Sequence, residues 1–177
     1  MKWIVRVLVA LVVVVAVIGG VGMLLPSGHV VAVRMDVRAP AERVFEVVSD
    51  VARGPEWRSG LTAVEIVSAA GAPLRWRETM ASGTITMVHE STDPPRRLVS
   101  RIDDPDLPFG GRWIYDLVPA ADGTTLTITE EGEVYNPFFR FFSRFVFGHY
   151  QTLETYSRDL ARHLDASAEP VRVEQSG

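Results

Sequence analysis

The chain has 177 residues, a formal net charge of −4 and no cysteine, enough for one domain with a sizeable core. These figures exclude disulfides, thiol catalysis and cysteine-ligated zinc, and an acidic balance with scattered arginines argues against nucleic acid as a partner. His29, His89, His149 and His163 show no metal-ligand spacing, and the residues after the N-terminal segment contain no phosphate loop, dinucleotide fingerprint or nucleophile elbow, so neither metal nor cofactor is predicted.

Met1-Lys2-Trp3 leads into IVRVLVALVVVVAVIGGVGMLL, and the 19 residues from Val7 to Leu25 carry no charge. A helix needs ~20 residues to cross a ~30 Å hydrocarbon layer. Arg6 can snorkel to the headgroups, Trp3 suits the interface, and Pro26-Ser27-Gly28 ends the helix. A cleavable signal peptide has an apolar core of only ~7–15 residues before a small-x-small site. Gly20-Val21-Gly22 is a poor site, and the apolar run continues past it. Residues 1–26 therefore read as an uncleaved anchor, with residues 4–25 in the membrane. Lys2 and Arg6 have no acid to offset them, which predicts a cytoplasmic N-terminus and an extracytoplasmic domain on a single-pass cell-membrane protein. Arg34, Arg38 and Arg43 follow the span closely and pull the other way.

HVVAVRMDV alternates, with Val31, Val33, Met35 and Val37 on one face of a strand. Ala39-Pro40-Ala41-Glu42 opens a helix with its proline near the first turn, and Val44, Phe45, Val47 and Val48 form the apolar face. Gly54-Pro55 breaks that helical stretch; Asp50 is placed to cap a second short helix, VARGPEW, that aims Trp57 beneath it. LTAVEIVSA, LRWRETM, GTITMVHEST, RRLVSRID, GRWIYDLVPA and TTLTITEEGEV then alternate between Gly-, Pro- and Asp-rich turns, which predicts an antiparallel meander of six strands. The first strand joins its edge to make seven. Asn136-Pro137 starts a last helix, predicted as one element of more than 25 residues through Leu164, with Phe142, Val146, His149, Leu153, Tyr156 and Leu160 on one face. Residues 27–165 form the domain, and 166–177 read as a disordered tail.

A seven-stranded sheet covered by one helix must curl around it, leaving an interior that the two short helices close at one end. Alternation places Trp76 and Glu78, Met87 and His89, Trp113 and Tyr115, and Ile128 and Glu130 on the inner face. With Trp57 and His149 they are the cavity candidates. Glu78, His89 and Glu130 are the polar members; strand-end polar groups also reach solvent at a rim. Buried without partners they would cost several kcal/mol each, so they are expected to pair or to be wet. The large buried area of a tryptophan also suits Trp76 and Trp113 to plain core packing. PFFRFFSRFVF carries six phenylalanines with Arg140 and Arg144; half of the rings are expected to face the sheet. The start of this helix is predicted to touch the bilayer or guard the cavity mouth.

The segments VFEVVSDVARGPEW, WRETM, DPPRRLVSRI, GRWIYDLVP and DGTTLTITEEGEV, and the Asn-Pro start of the final helix, resemble the START-like or Bet v 1-like helix-grip superfamily. Within it they are similar to the bacterial SRPBCC branch of polyketide cyclases/dehydrases and lipid-transport proteins. The resemblance spans residues 29–165. It implies an α+β helix-grip fold, a curved seven-stranded antiparallel sheet around a long C-terminal helix, holding a deep apolar cavity for lipids, polyketides or other hydrophobic molecules. Some members are enzymes and many only bind; the membrane span departs from the usual soluble pattern. The expected function is a membrane-anchored carrier or sensor of a lipid-like or polyketide-like molecule. The alternatives are a cyclase, dehydratase or hydrolase using the cavity carboxylates and His89, or a structural module with its interior filled.

Overall fold

The computed structural model describes residues 2–164 and 168–173. Helix α1 (Lys2–Leu24) is long and apolar enough to cross a membrane, and within it only Gly19 and Gly22 are buried. Three residues later β1 (Gly28–Val37) begins, its odd positions from Val31 to Val37 turned inward as the alternation predicts. Helix α2 (Ala41–Ser49) follows Pro40, whose missing N–H costs nothing there. Its buried face is Val44, Phe45, Val47 and Val48, with Ala41.

The break after α2 differs in detail from the sequence reading. A 3-10 turn over Val51–Arg53 runs straight into α3 (Gly54–Trp57), and the Asp50 side chain caps neither. Gly54 and Pro55 thus open the short helix rather than end one, since a proline in a first turn forfeits no hydrogen bond.

Strands β2 (Leu61–Ile66), β3 (Arg75–Met80), β4 (Gly83–Asp93), β5 (Arg97–Ile102), β6 (Phe109–Ala120) and β7 (Gly123–Val134) form the predicted meander. β1 pairs with β7 over ten residues, from Gly28↔Glu133 to Val37↔Thr124. The sheet has eight strands, not seven, in the order β2-β3-β4-β5-β6-β7-β1-β8. The eighth, β8 (Val171–Val173), comes from the stretch expected to be a disordered tail and pairs with Ala32–Arg34. It covers the edge of β1, whose N–H and C=O groups would otherwise be open to another chain. Arg172 pins it, with Nε donating to Glu154 at 2.6 Å and the guanidinium 4.6 Å from the Tyr150 ring centroid. Residues 165–167 and 174–177 of that tail lie outside the described residues.

The C-terminal helical stretch is divided rather than continuous. Asn136 caps α4 (Pro137–Phe142), accepting from the N–H groups of Phe138 and Phe139. A π turn follows over Ser143–Phe147, then Gly148 at φ 71° and ψ 173°, then α5 (Gln151–His163). That backbone conformation is open essentially to glycine alone, so the break is written at residue 148. Leu153, Tyr156 and Leu160 lie on the buried face of α5 as predicted, against Val33 and Met35 of β1, Leu126 and Ile128 of β7, and the apolar face of α2. Full burial of a leucine such as Leu153 contributes roughly 2–3 kcal/mol.

One side chain ties three elements together at the end of the sheet nearest α1. Arg140 donates to the carbonyls of Val134 (2.7 Å), Tyr135 (3.1 Å) and Leu25 (3.5 Å). The end of β7, the start of α4 and the exit of α1 therefore share one cation, well placed against the carbonyl end of α1.

Candidate functional site

Between the inner face of the sheet, the α3 turn and α5 lies a cavity of about 450 Å³, within the range of small-molecule sites. Trp57, Trp76, Glu78, Met87, Trp113, Tyr115, Glu130 and His149 line it, while His89 and Ile128 do not. Ile128 has the inward parity but is 1% exposed and packed beneath α5. His89 also points inward, yet its Nδ1 is 3.0 Å from the Ser100 hydroxyl and its ring lies edge-on to Trp76, 4.7 Å between centroids. Burial lowers its pKa, opposed by the Ser49 backbone, and its Nε2 has no hydrogen-bond partner of normal geometry. It belongs to the wall behind the cavity.

At the α3 end the wall is ionic. Arg58 donates through Nη1 and Nη2 to the two oxygens of Glu78 at 2.6 and 2.9 Å, and Trp76 Nε1 donates to the same carboxylate at 2.9 Å. Glu78 is 6% exposed. Burial opposes the Arg58 charge, but the hydrogen-bonded Glu78 carboxylate outweighs it and raises the arginine pKa. With three donors on it, this carboxylate is fixed in place. The guanidinium also sits 5.3 Å from the Tyr156 ring centroid. Tyr156 in turn meets Trp57, Trp113 and Tyr115 at centroid distances of 5.1, 5.2 and 5.8 Å. Burial raises the Tyr156 pKa to about 12 and carries that of Tyr115 well above the ordinary phenol range, so both hydroxyls remain neutral donors. The buried indole N–H of Trp57 has no hydrogen-bond partner among the described residues.

At the α4 end the wall is built from a carboxylate and two imidazoles. Glu130 receives Trp113 Nε1 at 2.9 Å and faces His29 Nε2 at 3.1 Å. A carboxylate only accepts, so His29 Nε2 carries the proton in this contact. The His29 ring stacks on His149 with centroids 3.8 Å apart. Burial first, then the neighbouring His29, lowers the His149 pKa. Gly132 lies beneath His29, and a Cβ there would strike the imidazole, so the missing side chain is what lets the ring settle. Glu130 and His29 retain side-chain exposures of 19% and 18%, so the pair is partly open to the space beside it.

The pairing expected of the two glutamates is present, each with a cation or imidazole the sequence reading did not assign. His29 sits two residues before Val31 and shares its parity, so the same alternation carried back would have reached it. Tyr156 was already on the buried helical face. Arg58 gave no such signal, because it lies in an irregular turn where no period applies.

A family model described as "Polyketide cyclase / dehydrase and lipid transport" matches residues 28–169. The chain belongs to this family. Its fold recurs in solved structures at low identity. A protein from Thermus thermophilus is 20% identical with a TM-score of 0.64, covering 77% of this chain and 97% of its own. A START superfamily protein from Mycobacterium smegmatis is 19% identical with a TM-score of 0.59 and the same coverage. The Zhui aromatase/cyclase from Streptomyces sp. R1128 is 15% identical with a TM-score of 0.62, covering 78% of this chain and 94% of its own. A search of curated proteins returns no match. At these identities the solved structures establish a helix-grip fold common to the family and this chain, and nothing about ligand.

Proposed function

We propose that this protein is a membrane-anchored binder of a lipid-like or polyketide-like molecule, held in the cavity as a carrier or sensor. The observation that carries the reading is the cavity itself: about 450 Å³ left open between sheet and helix, with tryptophan, methionine and isoleucine walls and two polar clusters. Family membership supports it through the lipid-transport and polyketide-cyclase members that the family description names. The anchor rests on α1, whose valines and leucines are exposed along its length; an apolar surface of that extent needs lipid around it. On that reading, residues 1–26 are the anchor, the N-terminus is cytoplasmic and the domain is extracytoplasmic.

Three of the four tryptophans line the cavity, which supplies the test. In the full chain carrying Trp3→Phe, reconstituted in phosphatidylcholine vesicles, a brominated fatty acid is expected to quench the remaining tryptophans saturably. A second variant that also carries Ile85→Phe and Met87→Phe, which fill the cavity, is expected to lose that quenching. Quenching that does not saturate, or that survives the filling, would end the proposal.

A proton-transferring enzyme is the second reading, favoured by the His29–Glu130 contact. The set made of Glu78 and His89 does not support it, since one is locked by Arg58 and the other lies behind the wall. A hydrolytic or dehydrating activity that falls at least ~100-fold in Glu130→Gln, with ligand quenching unchanged, would move the assignment to this reading.

A further inference from the structure

We propose that the phenylalanine-rich segment at residues 137–146 lies within the membrane leaflet, and that the cavity takes its occupant sideways from that leaflet. The ligand class is then a bilayer-resident amphiphile with an extended apolar chain. The inference rests on the binding reading above for what the cavity holds, and on separate geometry for where the segment lies.

That geometry begins with two glycines. On α1, a Cβ at Gly22 would run into the backbone of Pro137, and one at Gly19 would lie 3.2 Å from the Phe138 ring. The membrane helix and α4 are thus in backbone-close contact at the only two buried positions of α1, and Arg140 clamps the joint through the Leu25 carbonyl. Depth follows from helix rise. The apolar stretch from Val7 to Leu25 is about 28 Å long at ~1.5 Å per residue, close to the ~30 Å of hydrocarbon it must cross. Gly19 precedes the end of that stretch by six residues, about 9 Å of helix. A ring seated on Gly19 therefore lies below the headgroups whenever α1 spans.

The rest of the segment has the composition for that place. Phe138, Phe139, Phe142, Phe145 and Val146 are 41%, 53%, 37%, 60% and 61% exposed, against the expectation that half of the phenylalanines face the sheet. Arg144 is exposed beside them, as suits a side chain reaching for headgroup phosphates. The backbone can enter hydrocarbon because its donors are satisfied, the first two by Asn136 and the remainder within the helical turns. Phe139 joins the two surfaces: it is exposed, and it also lines the cavity with Ser143 and Gly148. The cavity wall at this end is consequently the same short segment that meets the lipid.

The absence of native cysteine allows the test to use the full chain. Single cysteines at Phe145 and at exposed Val118, which lies about 30 Å along β6 from Phe109 at ~3.3 Å per residue, are labelled with an environment-sensitive nitrobenzoxadiazole dye. The protein is placed in phosphatidylcholine–phosphatidylglycerol vesicles. The dye at 145 is expected to be quenched by nitroxide on the lipid chain and shielded from aqueous iodide, with the reverse at 118. Iodide access at 145 equal to that at 118 overturns the proposal. Shielding at 145 from both quenchers that grows with protein density also overturns it, because a second copy then covers the surface.

Entry is read separately with the variant Phe145→Asp/Val146→Asp, at two exposed positions of which Phe145 gives up one ring contact, with Phe141. Loading of a fluorescent fatty acid from donor vesicles is expected to slow at least tenfold, while loading from cyclodextrin in water stays unchanged. Equal rates by both routes overturn lateral entry. If neither route loads the protein, the binding reading fails and lateral entry with it, while the depth measurement still decides the placement of the segment.

Discussion

At the α3 end of the cavity a glutamate is held by an arginine fork and a tryptophan; at the α4 end another glutamate is held by a histidine and a tryptophan. The two clusters share the indole-to-carboxylate bond and differ in the third partner. An arginine keeps its charge at any relevant pH, so the Arg58–Glu78 pair is permanent and can serve as a rigid wall. The His29 imidazole is a single donor to one oxygen of Glu130 rather than a fork, and it is stacked on His149, whose pKa burial lowers, so this end is held more loosely. The same difference appears in the backbone. The arginine end is closed by a helical turn, and the histidine end by glycines and a broken helix.

Four expectations sharpen or break this contrast. The largest effect belongs to Glu78→Gln, which strands the half-buried Arg58 charge and is expected to cost about 2–4 kcal/mol in denaturant unfolding of the full chain. Replacing both partners, Arg58→Met with Glu78→Met, is expected to recover most of that loss; a near-neutral single variant would mean that this end is not a structural wall. Gly148→Ala follows at about 1–3 kcal/mol, because alanine must adopt a conformation that only glycine takes readily. Glu130→Gln is expected to cost about 1 kcal/mol, since glutamine can still accept from Trp113 and the pair is partly open. A cost as large as that of Glu78→Gln would erase the distinction between the two ends.

The smallest effect is with pH. His89 and His149 both have lowered pKa values, chiefly through burial, so the folded protein holds them neutral more strongly than the unfolded chain does. Below the ordinary histidine value of ~6.5 the unfolded chain takes up protons that the fold resists. Stability from these groups is full above that value and declines as pH falls through it. His89→Gln is expected to flatten part of the decline, measured as the unfolding midpoint between pH 7.5 and 5. His149→Asn should remove a smaller part, because that ring is the less buried of the two.

What could be read beforehand followed periodicity. Alternation placed Trp76, Glu78, Met87, Trp113, Tyr115 and Glu130 on the correct face, since a strand offers only two sides. It could not tell how far along a strand α5 covers that face, and so Ile128, under the helix, and His89, behind Trp76, were expected in the cavity and are absent from it. The bulge between His89 and Ser91 sits at that limit. The helix break at Gly148 was hidden because the apolar spacing of three and four continues across it, and a single glycine inside a helical pattern is commonly tolerated. β8 is three residues long, too short for any period to show. Arg58 needed the third dimension altogether: its partner Glu78 is 20 residues away and joins it only once α3 folds over β3.

The three-way hold of Arg140 on Leu25, Val134 and Tyr135 bears on how far a bound molecule could travel under the proposed function. Only Leu25, Pro26 and Ser27 separate α1 from β1, a reach of at most ~10 Å, and the arginine removes the swing that even this allows. If α1 is the anchor proposed above, a domain moored so tightly would not ferry a bound molecule across an aqueous gap. Its exchange would be confined to its own bilayer, or to a receiver that comes to that surface.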